Sequence, residues 1–417
     1  MNLKGWDIVS FTPAEHLNRA IAENSEELSF DIKDGDMLLY GKLGVCSIVP
    51  GGGGKLLNLS FPVLQGTSES GGSRLNLDGC TAVFQVMLNF SDRITSQWKN
   101  AENNILDLTF DFSVPRYLPE EGKTRSFAEG DSGGIVTPLD LIGCSSVLRA
   151  LILNLLTDFL ISQRETFQKI IFANVILKGK QGNWLSPVLC RYSFLDGPVP
   201  YMAVLAVCSD RDISNLQLDV DVSGADLTTG LSYYAVSKSL FLKNAGIDCM
   251  TTLFVSSMEN YTIAGDVLSN TCRVAMPDIT VGAIDYSPYV ETGKAQMEIQ
   301  GSRLRVDLEE GNCSLYAGIN MAWSSFNAFT CSFQDKKLVF SKAESSFHHS
   351  EDIPWYLRFI PLSFIIDICV ACISDSLASG IDVKIDVSDA VLNDIKWYGS
   401  GIDIQSAVLN DGLLISY

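Results

Sequence analysis

Two stretches of the chain carry apolar residues at steps of three and four, the spacing of an α-helix with one apolar face. The first covers residues 138–170, where Thr137 can cap the first amides and Pro138 suits the first turn. At ~1.5 Å per residue this helix reaches roughly 50 Å, so most of its length needs an apolar cover. Its stripe consists of Leu148, Leu151, Ile152, Leu155, Leu156, Phe159 and Leu160.

The second helical stretch covers residues 354–379, where Pro361 predicts a kink or the true first turn and Gly380 predicts the end. Its stripe includes two cysteines, which behave as small hydrophobic residues in such a setting. The stripe consists of Phe364, Ile365, Ile368, Cys369, Cys372 and Ile373.

Apolar and polar residues alternate with a period of two through much of the remaining chain. The alternation is regular over residues 84–91, 106–114 and 216–222, and residues 297–308 predict a hairpin around Gly301. It resumes after the second helix. Strands with one dry face and one wet face are typical of antiparallel sheets, which need an apolar partner on the dry side.

Shorter elements lie between these stretches. Thr12-Pro13-Ala14-Glu15 has the pattern of a capping box and predicts a short helix that ends before Leu28. Three of its side chains should point inward, namely Leu17, Ala20 and Ile21. Glycine-rich residues 51–54 and 66–73 predict turns or mobile loops, and polar residues 119–136 predict a surface loop.

The order of elements repeats along the chain as strands, a long apolar helix and a further strand tract. We therefore expect an α+β protein with two similar halves, residues 1–210 and 211–417, and one long helix in each. The alternative is a coincidence within an ordinary α+β protein. A twisted antiparallel sheet that curls around each helix would bury both dry surfaces and give an elongated molecule. The seam between helix and sheet is either packed core or, where it stays open, a groove for an acyl chain.

Composition narrows the functional classes. Hydrophobic residues make up 47 % of the 417 residues, which allows a large core, and the formal net charge is −19. Such a charge argues against nucleic-acid binding and against attachment to anionic membranes by net charge alone. Met1–Asp7 do not resemble a signal peptide, and the 11 cysteines show no disulfide framework. These features favour reduced thiols and synthesis in the cytosol.

No transmembrane span is expected, because polar residues interrupt both apolar helices. Asn154, Thr157 and Asp158 lie within the first, and Asp367 lies within the second.

The opening residues Gly5-Trp6-Asp7-Ile8-Val9 resemble the start of the P-47 type proteins found beside botulinum neurotoxin genes of the orfX cluster. The OrfX proteins belong to the same wider group. This resemblance implies a TULIP (tubular lipid-binding) fold, in which curved sheets wrap long helices in two similar halves. It also implies binding of phospholipid or phosphoinositide, an accessory role beside a toxin with release together with it, and no catalytic residues.

Some motifs suggest enzymatic chemistry, but their surroundings do not support it. Gly130-Asp131-Ser132-Gly133-Gly134 matches the nucleophile signature of trypsin-like proteases, yet the three histidines, His16, His348 and His349, lack the expected context. Gly51–Lys55 lacks the phosphate-loop spacing and is better interpreted as a flexible loop.

Two further groups of residues have binding chemistry. Cys369-Val370-Ala371-Cys372 has redox or zinc spacing, and His348-His349 could complete a zinc site only if the fold brought them close. The basic residues Arg164, Lys169, Lys178 and Lys180 are either solvated cations or a lipid-headgroup site.

We therefore predict a protein without catalysis, cofactor or metal that binds lipid or another apolar ligand along the two helical stripes. The expected contacts are Leu148, Leu151, Ile152, Leu155, Leu156, Phe159, Phe364, Ile365, Ile368, Cys369, Cys372 and Ile373. The rival hypothesis is a structural or assembly partner in a toxin complex, with a filled core and no ligand. Toxin-cluster proteins are candidate partners under both hypotheses.

Overall fold

The computed structural model describes residues 1–92, 104–111, 134–135, 145–178, 183–281, 283–315, 318–334, 337–352, 366–373, 392–399 and 403–417. Strands dominate these ranges, and each strand pair within them is antiparallel. The strands form three large sheets and one small hairpin.

The strands up to residue 207 are β1 (Ile8–Pro13), β2 (Leu28–Asp34), β3 (Met37–Leu43), β4 (Ser47–Gly53), β5 (Leu56–Ser70), β6 (Ser73–Asn76), β7 (Thr81–Asp92), β8 (Asn104–Asp111), β9 (Gly134–Ile135), β10 (Ile171–Leu177), β11 (Leu189–Leu195) and β12 (Tyr201–Val207).

The later strands are β13 (Tyr233–Ser237), β14 (Tyr261–Ala264), β15 (Val267–Asn270), β16 (Val274–Ala275), β17 (Ile279–Val281), β18 (Ile284–Tyr286), β19 (Tyr289–Val290), β20 (Ala295–Gln300), β21 (Arg303–Ser314), β22 (Asn320–Gln334), β23 (Lys337–Asp352), β24 (Ile395–Trp397), β25 (Ser406–Leu409) and β26 (Gly412–Ser416).

The helices are α1 (Ala14–Asn24), α2 (Ser146–Ser162), α3 (Arg164–Phe167), α4 (Lys238–Phe241), α5 (Ile247–Leu253) and α6 (residues 366–373). A π-helical turn, Leu242–Gly246, joins α4 to α5, and a 3-10 turn spans Met258–Asn260.

A six-stranded sheet in the order β11-β12-β1-β13-β26-β25 forms the centre of the molecule. The order is symmetric about the β1–β13 pair. Strands β12 and β11 lie beyond β1, and they are the last two strands before residue 210. Strands β26 and β25 lie beyond β13, and they are the last two described strands of the chain. Ile8 of β1 pairs with Ala206 on one side and Val236 on the other. Both faces of this sheet are buried, since β1 and β12 are covered at every position. The proposed boundary near residue 210 stays a prediction.

Residues 213–231 cover one face of the central sheet. The strand predicted over residues 216–222 is wrong, because the segment makes only an isolated bridge between Asn2 and Asp221. The alternation itself is real, since Val220 and Val222 are buried against the sheet. A segment with apolar side chains on one side needs an apolar surface to pack against. Here the face of the central sheet is that surface, and the segment does not pair with a neighbouring strand.

A ten-stranded sheet follows the order β2-β3-β5-β7-β8-β10-β24, and β4, β6 and β9 attach beside it. The strands predicted from residues 84–91 and 106–114 are its β7 and β8, although residues 112–114 lie outside the described residues. Helices α2 and α3 pack on this sheet through aromatic contacts. The ring of Phe167 in α3 meets the rings of Phe61 and Phe110 edge-on, with centroids 5.9 and 6.0 Å away.

The third sheet has eight strands and includes the long β22–β23 hairpin. The hairpin predicted around Gly301 is confirmed as β20 and β21, where Gly301 takes a positive φ of 58°. The sequence pattern does not predict the helical run from α4 to α5, since it favours strands there. Its start has a recognisable signal, because the hydroxyl of Ser237 accepts a hydrogen bond from the amide of Leu240.

The first long helix is shorter than its spacing suggests. Ser145 is extended and caps α2 by accepting a hydrogen bond from the amide of Leu148 at 3.2 Å, so a continuous helix over residues 138–170 is wrong. Residues 137–144 lie outside the described residues. After α2 ends at Ser162, α3 adds only one turn.

The short helix α1 is confirmed, and its buried side chains are the ones expected: Leu17, Ala20 and Ile21. Its capping box is wrong, because Pro13 occupies the N-cap and makes no side-chain cap bond. Two glycine-rich stretches differ in part from expectation, because residues 71–72 form a predicted turn but most of the remaining residues belong to strands. Gly51–Gly53 belong to β4, and β5 continues through Gly66 to Ser70. Glycine keeps the backbone N–H and C=O groups that pair in a ladder, and the β4–β5 pair accommodates its glycines with a shift of register between Val49 and Gly53.

Candidate functional site

Helix α2 carries the first predicted stripe and packs it against the ten-stranded sheet. Ile152 and Leu156 are 0 % and 1 % exposed, and Leu155 is also buried. The ring of Phe159 lies 6.0 Å from the ring of Phe30 in β2, measured between centroids. Asn154 and Asp158 are exposed, as their positions outside the stripe predict.

The sheet covers one side of the stripe more completely than the other. Leu153 and Leu160 are buried together with Ile152 and Leu156, although Leu153 was not assigned to the stripe. On the opposite side three large apolar side chains remain half-buried. We call these the α2 flank; they are Leu148, Leu151 and Phe159.

The second stripe is described only in part, because Phe364 and Ile365 lie outside the described residues. Within α6, Cys369 and Ile373 are fully buried and Cys372 is half-buried. Ile368 is 37 % exposed, which contradicts its expected inward position, and Ile366 is buried in its place. The buried face of α6 is rotated by a fraction of a turn from the predicted face, and residue spacing alone does not locate that face so finely.

The cysteines of α6 do not have the environment of a reactive thiol pair. The thiol of Cys369 interacts with that of Cys313 in β21, and burial raises the pKa of the Cys313 thiol to about 12. Burial likewise raises the pKa of Cys369. Both therefore stay protonated near neutral pH, whereas redox chemistry needs the thiolate.

A zinc site in the parts of the chain that the structure describes would need several ligating side chains close together. No group of three or more His, Cys, Asp and Glu side chains there is placed to hold a metal ion. His348 and His349 lie on the edge strand β23, where His349 Nδ1 is hydrogen-bonded to a carboxylate oxygen of Glu351. The ten cysteines within the described ranges are free thiols.

The remaining motifs of the sequence can be located only partly. The protease-like motif lies outside the described residues except for Gly134, which belongs to β9. His16 shares a hydrogen bond of 3.2 Å with the hydroxyl of Thr12, and burial together with Arg19 lowers its pKa. Arg164, Lys169 and Lys178 are exposed, so a headgroup site there stays a prediction, and Lys180 is outside the described residues.

The N-terminal signature Gly5–Val9 has a structural role. The indole Nε1 of Trp6 donates a hydrogen bond of 2.8 Å to the carbonyl oxygen of Gln217, which fixes the segment over the central sheet. One carboxylate oxygen of Asp7 accepts from the amide of Cys208 and the other from Arg211, both at 2.8 Å. The motif therefore joins β1 to the residues that follow β12.

Within the described part of the chain, no helix combines the length and the apolar character needed to cross a bilayer.

Antiparallel sheets packed on apolar helices, and a signature that fastens the central sheet, define the class of this protein. The chain belongs to the OrfX-like family, whose model, described as Protein OrfX2/OrfX3/P47, matches residues 3–322. The resemblance inferred from the opening residues is thereby confirmed.

Individual relatives agree with this assignment. Protein P47 of Clostridium botulinum (strain Kyoto / Type A2) is 24 % identical over 443 residues, which cover 100 % of this chain and 99 % of that protein. The structure of P47 from Clostridium botulinum A2 has a TM-score of 0.76 at 20 % identity, over 100 % of this chain and 97 % of that one. For P47 of Clostridium botulinum E1 the TM-score is 0.71 at 19 % identity, with 99 % and 98 % covered. The protein therefore has the P47 fold.

Proposed function

We propose that the protein is a non-catalytic binder of a lipid-like apolar ligand, of the tubular lipid-binding type, and that the ligand lies along the α2 flank. The observation that supports this most directly is the incomplete cover of the flank. Leu148, Leu151 and Phe159 are half-buried beside Ile152 and Leu156, which the sheet covers fully.

The chemistry of the flank matches an acyl chain better than a polar ligand. Leu148 and Leu151 lie about one helical turn apart and Phe159 lies about two turns beyond Leu151, so together they form an apolar strip along the helix axis. Each methylene that moves from water onto such a strip contributes about 0.8 kcal/mol. An extended hydrocarbon chain laid along the helix would therefore gain affinity from several turns at once.

The test uses two neighbouring positions of α2 that lie on different faces of the helix. Leu151 is on the flank, and Ala150 is exposed, so Leu151→Gln and Ala150→Gln place the same side chain in and out of the proposed site. Purified wild-type protein and both variants would be extracted with chloroform and methanol, and the extracts analysed by mass spectrometry. Circular dichroism and thermal unfolding would establish that each variant is folded, and Leu148→Gln replaces Leu151→Gln if the latter is not.

Wild-type protein and Ala150→Gln should carry the same phospholipid or fatty acid, and Leu151→Gln should carry several-fold less. Extracts that contain nothing above a control protein would reject the ligand and favour the rival, a structural partner with a filled core. Equal lipid in Leu151→Gln and Ala150→Gln would reject the site.

The same proposal includes an accessory role beside a bacterial toxin, with synthesis in the cytosol and release together with the toxin. Membership of the OrfX-like family and the likeness to Protein P47 of Clostridium botulinum support it. The test is affinity purification of the tagged chain from its native host. Co-purification with a toxin or its neighbouring gene products is expected, and their absence from both cell extract and culture medium would reject the role.

A further inference from the structure

A second site is suggested by a cleft of about 500 Å³ whose lining contains none of the described residues of α2. One wall is the tip of the β4–β5 hairpin, residues 53–56, and the opposite wall is formed by residues 214–219. Met87 of β7 and Arg191 of β11 lie between the two walls. The volume is typical of a site for a small molecule.

Both walls of the cleft are fastened to the rest of the fold. The hydroxyl of Tyr192 donates to the carbonyl oxygen of Lys55 and accepts from the amide of Leu88, each at 2.9 Å. The amide of Gly54 donates to the carbonyl oxygen of Phe194 at 3.1 Å. On the other side the bond from Trp6 holds residue 217. The cleft is therefore formed before any ligand arrives, which reduces the entropy lost on binding.

Arg191 supplies an available positive charge in this cleft. Its side chain is half-buried, and among the described residues its guanidinium makes no hydrogen bond and no ion pair. The nearby carboxylate of Asp212 accepts hydrogen bonds from Ser214 and attracts Arg191 without forming an ion pair with it. In a chain of net charge −19, an arginine without a contacting acid is notable, because a guanidinium binds carboxylate and phosphate groups through two parallel hydrogen bonds.

The rest of the lining is partly apolar, since it includes four half-buried residues, of which the last two also pack on the central sheet: Leu56, Met87, Leu216 and Leu218. Asp219 also lines it, but its side chain is exposed, so water and salt screen its charge more than that of Arg191. Lys55, which is half-buried in the same lining, adds a second positive charge, so the balance favours a ligand with a negative group and an apolar body.

We propose that this cleft binds a small organic anion, a carboxylate or phosphate monoester on a short hydrocarbon chain, with its charged group on Arg191. The site is independent of the ligand proposed for the α2 flank. The anion is either a free molecule or the exposed end of an anionic lipid, and the experiment separates these two sources.

The experiment measures binding of octanoate and octyl phosphate to the full chain by isothermal titration calorimetry, below their micellar concentrations. Octanol and inorganic phosphate test the two parts of the ligand separately. The variants are Arg191→Gln and Asp219→Asn, with Arg74→Gln as an exposed control outside the cleft. Flotation with vesicles of phosphatidylcholine containing phosphatidic acid tests the lipid source.

Arg191→Gln should weaken binding of the octyl anions by about tenfold or more, because the charged hydrogen bonds between the anion and the guanidinium are lost. Asp219→Asn should strengthen it, and Arg74→Gln should leave it unchanged. Arg191-dependent flotation supports a lipid source, whereas binding of the free octyl anions without flotation supports a soluble one.

Three results would overturn the proposal. The first is that neither octyl anion binds more tightly than octanol and no Arg191-dependent flotation is seen. The second is that Asp219→Asn weakens binding as much as Arg191→Gln, which indicates a zwitterion. The third is that Leu151→Gln abolishes binding, which places the anion on the α2 flank instead. An intact response in Leu151→Gln supports the cleft whatever the outcome of the lipid extraction.

Discussion

The indole Nε1 of Trp397 donates a hydrogen bond of 3.0 Å to the hydroxyl oxygen of Ser10, across 387 positions of sequence. Ser10 is 0 % exposed in β1 of the central sheet, and Trp397 is 1 % exposed at the end of β24 in the ten-stranded sheet. The hydroxyl of Ser10 also shares a hydrogen bond of 3.2 Å with the phenol of Tyr417. The buried hydroxyl of Ser10 therefore connects the central sheet to the ten-stranded sheet.

Loss of the bond between Trp397 and Ser10 should destabilise the protein measurably. Trp397→Phe removes the donor and leaves space beside the smaller ring, so we expect a loss of about 2–3 kcal/mol in the free energy of unfolding. Ser10→Ala should cost about 1–2 kcal/mol. Urea denaturation of the two variants and the double variant gives the coupling energy. Strictly additive losses would mean that the bond contributes nothing.

The two partners in the Asp7–Arg211 pair should differ in importance. Asp7 is buried and also accepts from the amide of Cys208, whereas the side chain of Arg211 is 43 % exposed. Asp7→Ala should therefore cost about 2–3 kcal/mol, because the partly buried amide of Cys208 loses its acceptor. Arg211→Ala should cost about 1 kcal/mol or less, as for other exposed ion pairs. Equal losses in urea denaturation would contradict this assignment.

Asp394 should make stability depend on pH. Its side chain is 6 % exposed, and burial raises its pKa, although hydrogen bonds from Ser186 and Asn183 oppose the shift. Its acidic neighbours include Cys208 and Tyr234, whose pKa values burial also raises. The protonated carboxyl fits the fold better, so its contribution is complete below the unfolded pKa and is lost as the pH rises through the folded one.

Asp394→Asn should therefore be more stable than the wild type at about pH 7, and the difference should shrink as the pH falls towards about 4. Denaturant midpoints across this range test the sign. Parallel pH profiles for the two proteins would show that Asp394 does not titrate differently in the folded state.

Gly311 should not tolerate a side chain. A Cβ atom there would lie 2.3 Å from the indole ring of Trp323, which is 3 % exposed and stacks on Phe347 at 5.9 Å between centroids. Gly311→Ala should cost about 2–3 kcal/mol and change the near-ultraviolet circular dichroism of the tryptophans. Gly53→Ala is the control, because its Cβ would meet nothing within 4 Å and should change stability by about 0.5 kcal/mol or less. Similar losses in both variants would reject the steric argument.

Elements with local signals could be predicted from the sequence. Alternation identifies β7 and β8, and a turn residue with positive φ at Gly301 identifies the β20–β21 hairpin. Residues 216–222 show the limit of this reasoning. Alternation indicates that every second side chain is buried, but it does not indicate that the backbone pairs with another strand. The β1–β13 pair has no local signal at all, because it depends on contacts between distant parts of the chain.

The candidate sites show the same division. Spacing identified the helix that carries the α2 flank, but apolar residues such as Val147 and Leu153 surround it, so no pattern could tell which side the sheet covers. The cleft around Arg191 could not be found in this way, because its walls come from segments far apart in the chain. Only the folded backbone brings those segments together.

The central sheet also constrains the order in which the protein can fold. Residue 8 leaves the ribosome early, yet its two partners, residues 206 and 236, follow only much later. Residues 412–416 must then emerge before β13 gains its second neighbour. Local hairpins can form during translation, whereas the apolar strand β1 stays without its partners until about half of the chain has been synthesised. Closure of this sheet is therefore a late and slow event, and in the meantime β1 is a natural target for chaperones.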